Sequence, residues 1–300
     1  MTVSGVCVSP AAKSRVLVVG ATGFIGRFVV EASLASGRPT YILVRLSSNP
    51  GSPCKTAKIA EALRDKGAII LYGSINDREL MEKILKEHEI DIVISAVGGE
   101  KVLDQLTLVE AIKAVGTVKR FLPSEFGHDI DRAEPVEPGI FMYKEKRKVI
   151  PPLDQFQIYG DGSVKAYFVA GTDIGKFTMR TVDDIRTLNK SVHFRPPCNF
   201  YNMNELASLW EKKIGRTLPR VVVTENDLLT AAAENRIPQS VVASFTHDIF
   251  IKGCQVNFSI DGPDDIEVTD LYPDEQFRTL DDCFNDFVIK MKAKSMDIAD

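Results

Sequence analysis

Two hydrophobic periods alternate along the first half of the chain. Short apolar runs rich in β-branched and leucine side chains recur at residues 16–19 (VLVV), 40–44 (TYILV), 68–72 (AIILY), 90–95 (IDIVIS) and 120–122 (RFL). Runs this short and this apolar predict strands buried on both faces. Between them, residues 27–35, 58–66, 78–87 and 103–115 repeat apolar positions at helical spacing. Gly67 closes the second of these helices, and Asn76 and Asp77 can cap the third. Repeated strand–helix units of this length predict a parallel sheet with right-handed crossovers.

Beyond residue 150 the texture changes. Gln157-Ile158 and residues 165–169 flank Tyr159-Gly160-Asp161-Gly162, a pattern that predicts a hairpin. Helical spacing returns at 205–213, between an Asn204 cap and a Gly215 stop, and again at 226–233, 239–251 and 280–294. The expected fold class is α/β. A Rossmann-type doubly wound parallel sheet occupies residues 1–150. A smaller α-rich C-terminal lobe over 151–300 covers the cleft and selects the substrate, with some segments returning to the sheet.

The junction of the first strand and helix carries the strongest chemistry. Gly20, Ala21, Thr22, Gly23, Phe24, Ile25 and Gly26 form the glycine-spaced turn of a dinucleotide site. Gly20 permits the tight turn, Gly23 a close approach of a pyrophosphate, and Gly26 close helix–strand packing. Ligands of such sheets sit beyond the carboxyl ends of the strands. Arg45, Val97, Gly98 and residues 124–128 therefore converge on one cleft. Arg45 stands where NAD-binding folds usually carry an acidic residue, and a cation favours the extra phosphate of NADP. Lys55, in the loop that follows, is a second phosphate candidate.

Composition narrows the function further. The 300 residues are 44% hydrophobic, enough for a substantial core, and the net charge is −4 with no basic stripe beyond residues 144–148. Nucleic-acid binding is therefore not expected. The five cysteines are widely spaced and lack a CxxC pair, so disulfide and zinc readings are poor. No apolar run is long enough to span a bilayer, and the start of the chain lacks a signal-peptide core. A cytoplasmic location is the expectation by default. On spacing alone His128 is a loop histidine, Lys146 is one of three lysines in a basic turn, and His247 is a helix histidine.

Read together, GATGFIG (20–26), Arg45, RFLPSEFGHDIDR (120–132), the EKRKV segment and YGDG resemble the isoflavone reductase-like, NmrA-like branch of the atypical short-chain dehydrogenases. The likeness covers nearly the whole chain. FVAGTDIGKFT (168–178) and FTHDIFIKGCQ (245–255) extend it, and RFLP and THD are similar to the plant reductases of flavan-3,4-diols within that branch. The resemblance implies NADPH as cofactor and a small phenolic substrate. The implied reaction is reduction of a flavan-3,4-diol such as leucocyanidin at C4 to a 2,3-trans flavan-3-ol such as catechin. It also implies that Lys146, on a short helix over 141–149, is the catalytic lysine, that His128 is its partner, and that His247 contacts substrate. Two other functions fit the same residues: reduction of an isoflavone or lignan-type phenol, and cofactor sensing without catalysis. Oligomeric state is left open.

The likeness breaks at one place. The family continues the lysine helix into a strand, an ICCN motif and a substrate-facing loop. Here Val149-Ile150 runs directly into Pro151-Pro152. Proline ends a helix and pushes the preceding residue away from helical angles. The expectation is a sheet short of one strand, an incomplete substrate wall, and little or no reductase activity.

Overall fold

A computed structural model of the chain describes residues 13–45, 55–98, 102–127, 154–234, 236 and 239–296. The first half is built from β1 (Val16–Val19), α1 (Phe24–Ala35), β2 (Thr40–Val44), α2 (Lys55–Asp65), β3 (Ile69–Tyr72), α3 (Arg78–Glu87), β4 (Ile92–Ser95), α4 (Gln105–Val115) and β5 (Arg120–Leu122). These strands form one parallel sheet in the order β3-β2-β1-β4-β5. Every residue of β1 is buried, and its side chains divide between the two faces. Val16 and Val18 enter one core with Val29, Val30 and Ile42; Leu17 and Val19 enter the other with Met81, Leu85, Val93 and Leu108. Burial on both faces is why β1, β2 and β4 read as continuous apolar runs, whereas β3 and β5, at the edges, are only partly buried and Ile69 and Tyr72 of β3 are exposed. The protein is thus an α/β Rossmann-type fold. Asp77 caps α3 through Leu80 N at 3.0 Å.

The second half comprises β6 (Phe156–Tyr159), β7 (Lys165–Tyr167), α5 (Gly171–Thr181), β8 (Ser191–His193), β9 (Phe200–Asn202), α6 (Met203–Ile214), β10 (Arg220–Val223), α7 (Glu225–Ala233), α8 (Gln239–Phe250), β11 (Asp265–Glu267), α9 (Val268–Leu271) and α10 (Leu280–Met296). The expected hairpin does not form. β6 pairs in parallel with β10, and β7 pairs antiparallel with β9. The turn itself is present: Gly160 and Gly162 take positive φ, and Asp161 Oδ1 accepts from Ser163 N at 2.8 Å. Turn chemistry reverses the chain locally but does not choose its partner. Phe156 and Ile158 bury against Trp210, Leu206 and Phe284, and that core selects the pairing.

α5, which the apolar spacing did not signal, joins the two halves. Its Met179, with the following Val182, enters the core of Val16, Val18 and Val29. Gly175 makes this approach possible, because a Cβ there would lie 2.3 Å from the carbonyl oxygen of Phe28 on α1. A backbone atom cannot rotate aside. Gly175→Ala is therefore expected to destabilise the chain by about 2 kcal/mol, because overpacking outweighs the gain of about 1 kcal/mol in helix propensity. An unchanged urea midpoint would contradict this packing.

Candidate active site

The glycine turn sits at the carboxyl end of β1. Gly20 has φ +76°, and a Cβ on it would lie 2.4 Å from Ala96 O, just past β4. Gly23 N donates to Gly20 O at 3.0 Å and closes the turn. A Cβ on Gly26 would lie 2.2 Å from Gly20 O and 2.8 Å from Ala21 Cα. The helix start and strand end are in contact, and only glycine fits between them. Gly23 is the N-cap of α1, it is exposed, and neither a capping side chain nor an acidic residue occupies the first turn. The free N–H groups and the positive end of the helix dipole there suit a diphosphate. Thr22, Phe24 and Ile25 are half-buried around the turn, and Ala21 is fully buried.

Arg45 directly follows β2 at the same end of the sheet and is exposed, with no ion-pair partner among the described residues. Lys55 begins α2. Val97 and Gly98 follow the end of β4, and Ser124 ties this exit to that of β5. Its hydroxyl donates to Val97 O at 2.8 Å, and its N–H donates to Gln105 Oε1 at 3.0 Å. At the end of β4, Ser95 pairs with Val19, and its buried Oγ has no partner. The sequence-predicted cofactor residues other than Lys55 thus gather at the carboxyl ends of β1, β2 and β4.

His128 and Lys146 lie outside the described residues. The chain is described up to Gly127, which lines a cavity of about 590 Å³. Part of the cavity wall is aromatic and cationic. Phe126, Tyr167 and Phe258 line it, and the Arg195 guanidinium lies 4.1 Å from the Phe258 ring centroid and 5.7 Å from that of Tyr167. Arg195 Nη2 donates to Gln255 O at 2.8 Å, which fixes the side chain. Such a wall suits a planar phenol, whose ring stacks and whose hydroxyls need polar partners. Arg195 N also donates to Glu267 Oε1 at 2.9 Å, and burial pushes the Glu267 carboxyl up. His193 Nε2 lies 2.8 Å from Asp265 Oδ1. Of these, Phe126 falls in the segment 124–128 expected at the cleft and Gln255 in the 245–255 motif, whereas Tyr167, His193, Arg195, Phe258, Asp265 and Glu267 were not singled out from the sequence. They come from segments far apart in the chain, and no local spacing unites them.

His247 is 3% exposed on α8, and its Nε2 lies 2.9 Å from Glu225 Oε1 at the start of α7. This contact holds the Glu225 carboxyl below its usual range. Nδ1 is buried without a partner. His247 does not line the cavity, whereas Cys254 and Gln255 from the same motif do. Burial pushes the Cys254 thiol well up, so it is inert at neutral pH. Among the described residues no acidic, histidine and cysteine cluster could hold a metal. No described helix is long and apolar enough to cross a membrane.

The NmrA-like family matches the chain over residues 12–159 and 150–284. The chain belongs to the NmrA-like family. It is 61% identical to leucoanthocyanidin reductase of Desmodium uncinatum, over 96% of this chain and 83% of the relative. The solved binary complex of leucoanthocyanidin reductase with NADPH from Vitis vinifera is 67% identical, with a TM-score of 0.86, over 92% of this chain and all of that one. Phenylcoumaran benzylic ether reductase of Ginkgo biloba is more distant, at 43% over 92% of this chain and 99% of the relative. The Desmodium match spans 321 aligned positions against the 300 residues present here, so the relative carries residues that this NmrA-like chain lacks. The family match divides at 150–159, next to Val149-Ile150-Pro151.

Proposed function

We propose that the chain binds NADPH at the glycine turn and belongs, by chemistry, with the reductases of flavan-3,4-diols. Leucocyanidin, NADPH and a proton would give catechin, NADP⁺ and water. The observation that carries this reading is the Gly20–Gly26 turn, too tight for a Cβ at Gly20 or Gly26, in a chain 67% identical to a leucoanthocyanidin reductase solved with NADPH. The isoflavone and lignan-type alternatives belong to more distant relatives. In this reading residues 1–150 hold the cofactor and much of 151–300 forms the substrate wall, in a cytoplasmic protein. The direct test is incubation of the chain with NADPH and leucocyanidin, following both oxidation of the cofactor and formation of catechin. NADPH that binds but is not consumed even after the missing residues are restored would favour a cofactor sensor.

Each group has a task in that reaction. The backbone N–H groups from Phe24 onward hold the diphosphate, and Arg45, with Lys55, holds the 2′-phosphate. NADPH, when bound, supplies the hydride that ends on C4. Lys146 and His128 share the proton traffic: one proton reaches the departing C4 hydroxyl while another leaves a ring phenol, through a quinone methide. The aromatic wall of the cavity, with Arg195, receives the phenolic rings, whereas His247, which the resemblance assigns to substrate, lies outside that lining and pairs with Glu225.

Two outcomes follow. Arg45→Ala should weaken NADPH by about 1.5–3 kcal/mol, the scale of a hydrogen bond to a charged group, and leave NADH nearly unchanged. Isothermal titration with both cofactors tests this, and equal affinities in the parent chain would refute the NADPH preference. Lys146→Ala, in a version that turns over, should lower the rate by about 10²-fold or more with little change in cofactor affinity. An unchanged rate would remove the lysine from the mechanism.

A further inference from the structure

We infer that Glu225 and His247 are positioning residues for the phenol wall: their contact sets the exit of α8, and that exit places Gln255, which holds Tyr167 and Arg195. Which phenol the wall receives rests on the proposed reaction, whereas the position of the wall does not. His247 is 3% exposed and takes no part in the cavity lining. A molecule in the cavity therefore does not touch it. Its Nε2 lies 2.9 Å from Glu225 Oε1, across from α8 to the first residue of α7. A carboxylate only accepts, so the ring donates through Nε2. Lys252 Nζ lies 3.6 Å from the same oxygen. Glu225 thus grips both α8 and the turn that follows it.

The main chain carries the contact onward. The carbonyl oxygen of His247 accepts from Ile251 N at 2.9 Å and from Lys252 N at 3.1 Å, and the carbonyl oxygen of Asp248 accepts from Cys254 N at 3.1 Å. These bonds close the end of α8 and deliver the chain to Gln255 in one register. Gln255 then makes two bonds of different kinds. Its side-chain Oε1 accepts from Tyr167 N on β7 at 3.0 Å, and its carbonyl oxygen accepts from Arg195 Nη2 at 2.8 Å. Gln255, Tyr167 and Arg195 all line the cavity. A shift of the α8 exit therefore moves an aromatic ring and a guanidinium together.

The cost of breaking the pair falls on this register. A buried donor left without its acceptor bears its desolvation penalty, and the element that carries it moves to find another partner. The imidazole sits on the turn that starts the relay to Gln255, so the wall takes up that movement. The same geometry separates positioning from direct contact. If His247 met the substrate itself, Glu225, on another helix and with a half-exposed side chain, would matter little. If the pair acts through the turn, loss of either partner has the same effect, and loss of both adds nothing.

The test titrates catechin into variants of the full chain in the presence of NADP⁺, with hydrogen exchange followed in parallel. His247→Leu removes the donor and Glu225→Leu the acceptor, each replaced by an apolar group. Each should weaken catechin by about tenfold or more, and the double variant should bind no more weakly than either single one. Glu225→Gln keeps an acceptor oxygen and should stay close to the parent. NADPH affinity should not change in any of them. Exchange should quicken at 251–255 and at the Tyr167 amide in both leucine variants. Additive losses in the double variant would overturn the proposal. So would a Glu225→Leu variant that binds catechin like the parent while His247→Leu does not, since His247 would then act on the substrate directly. A parent chain that binds no catechin would count against the proposed substrate. The exchange data then decide the positioning alone, and unchanged rates at 251–255 and Tyr167 would overturn it.

Discussion

Inserting between Val149 and Pro151 the residues that the Desmodium reductase carries there is expected to raise leucocyanidin reduction by about a hundredfold or more. Lys146 lies four residues before Ile150, and Pro151-Pro152 follows at once. Proline ends a helix, so in the proposed reading the lysine loses the turn that would anchor it. Displacing a catalytic group by about 1 Å costs on the order of a hundredfold in rate. Cofactor affinity should change little, because all five strands of the parallel sheet precede the junction. The two versions are compared for NADPH affinity by titration and for catechin formation under saturating cofactor. Similar rates would mean that the missing residues are dispensable.

Gly26→Ala should reduce NADPH affinity by about a hundredfold, close to 2.8 kcal/mol at 1.4 kcal/mol per tenfold. The new methyl group would meet Gly20 O and Ala21 Cα, both backbone atoms of the turn that must hold the diphosphate. The strand end or the helix start must move, and either movement takes N–H groups out of line. Gly20→Ala should act the same way, with the added strain of a left-handed backbone at φ +76°. Circular dichroism and the melting temperature separate loss of the site from loss of the fold. A folded Gly26→Ala variant that binds within threefold of the parent would show that the cradle is looser than its contacts indicate.

How much was legible follows from where the determinants lie. The first half reads well because each element carries its own signal. β2, β5 and α3 fall on the ranges that their periodicity predicts, since buried parallel strands are apolar throughout and α3 has its own Asp77 cap. The second half reads poorly because its elements are short and chosen by distant partners. The sequence of β6 and β7 carries turn chemistry, but their pairings with β10 and β9 depend on cores assembled from remote segments. α5 escapes notice because Gly171, Gly175 and its threonines are weak helix formers, kept for the close contact with Phe28. The same holds at the site. The glycine turn is contiguous in sequence, whereas Arg195, Tyr167 and Phe258 meet only in space. His128 and Lys146 rest on the resemblance alone and lie outside the described residues.

The contact of α5 with α1 has a consequence for the order in which the chain matures. A chain leaves the ribosome from its N-terminus, and its early segments begin to fold as they emerge. The sheet face bearing Val16, Val18 and Ile42 is completed by Met179 and Val182, which are translated long after the last strand of that sheet. Until they arrive, the nascent sheet shows part of an apolar face to its surroundings. The shortened junction brings α5 to the ribosome exit sooner than in a relative with the longer segment. The absence of those residues thereby shortens the interval during which the half-made sheet is open to aggregation.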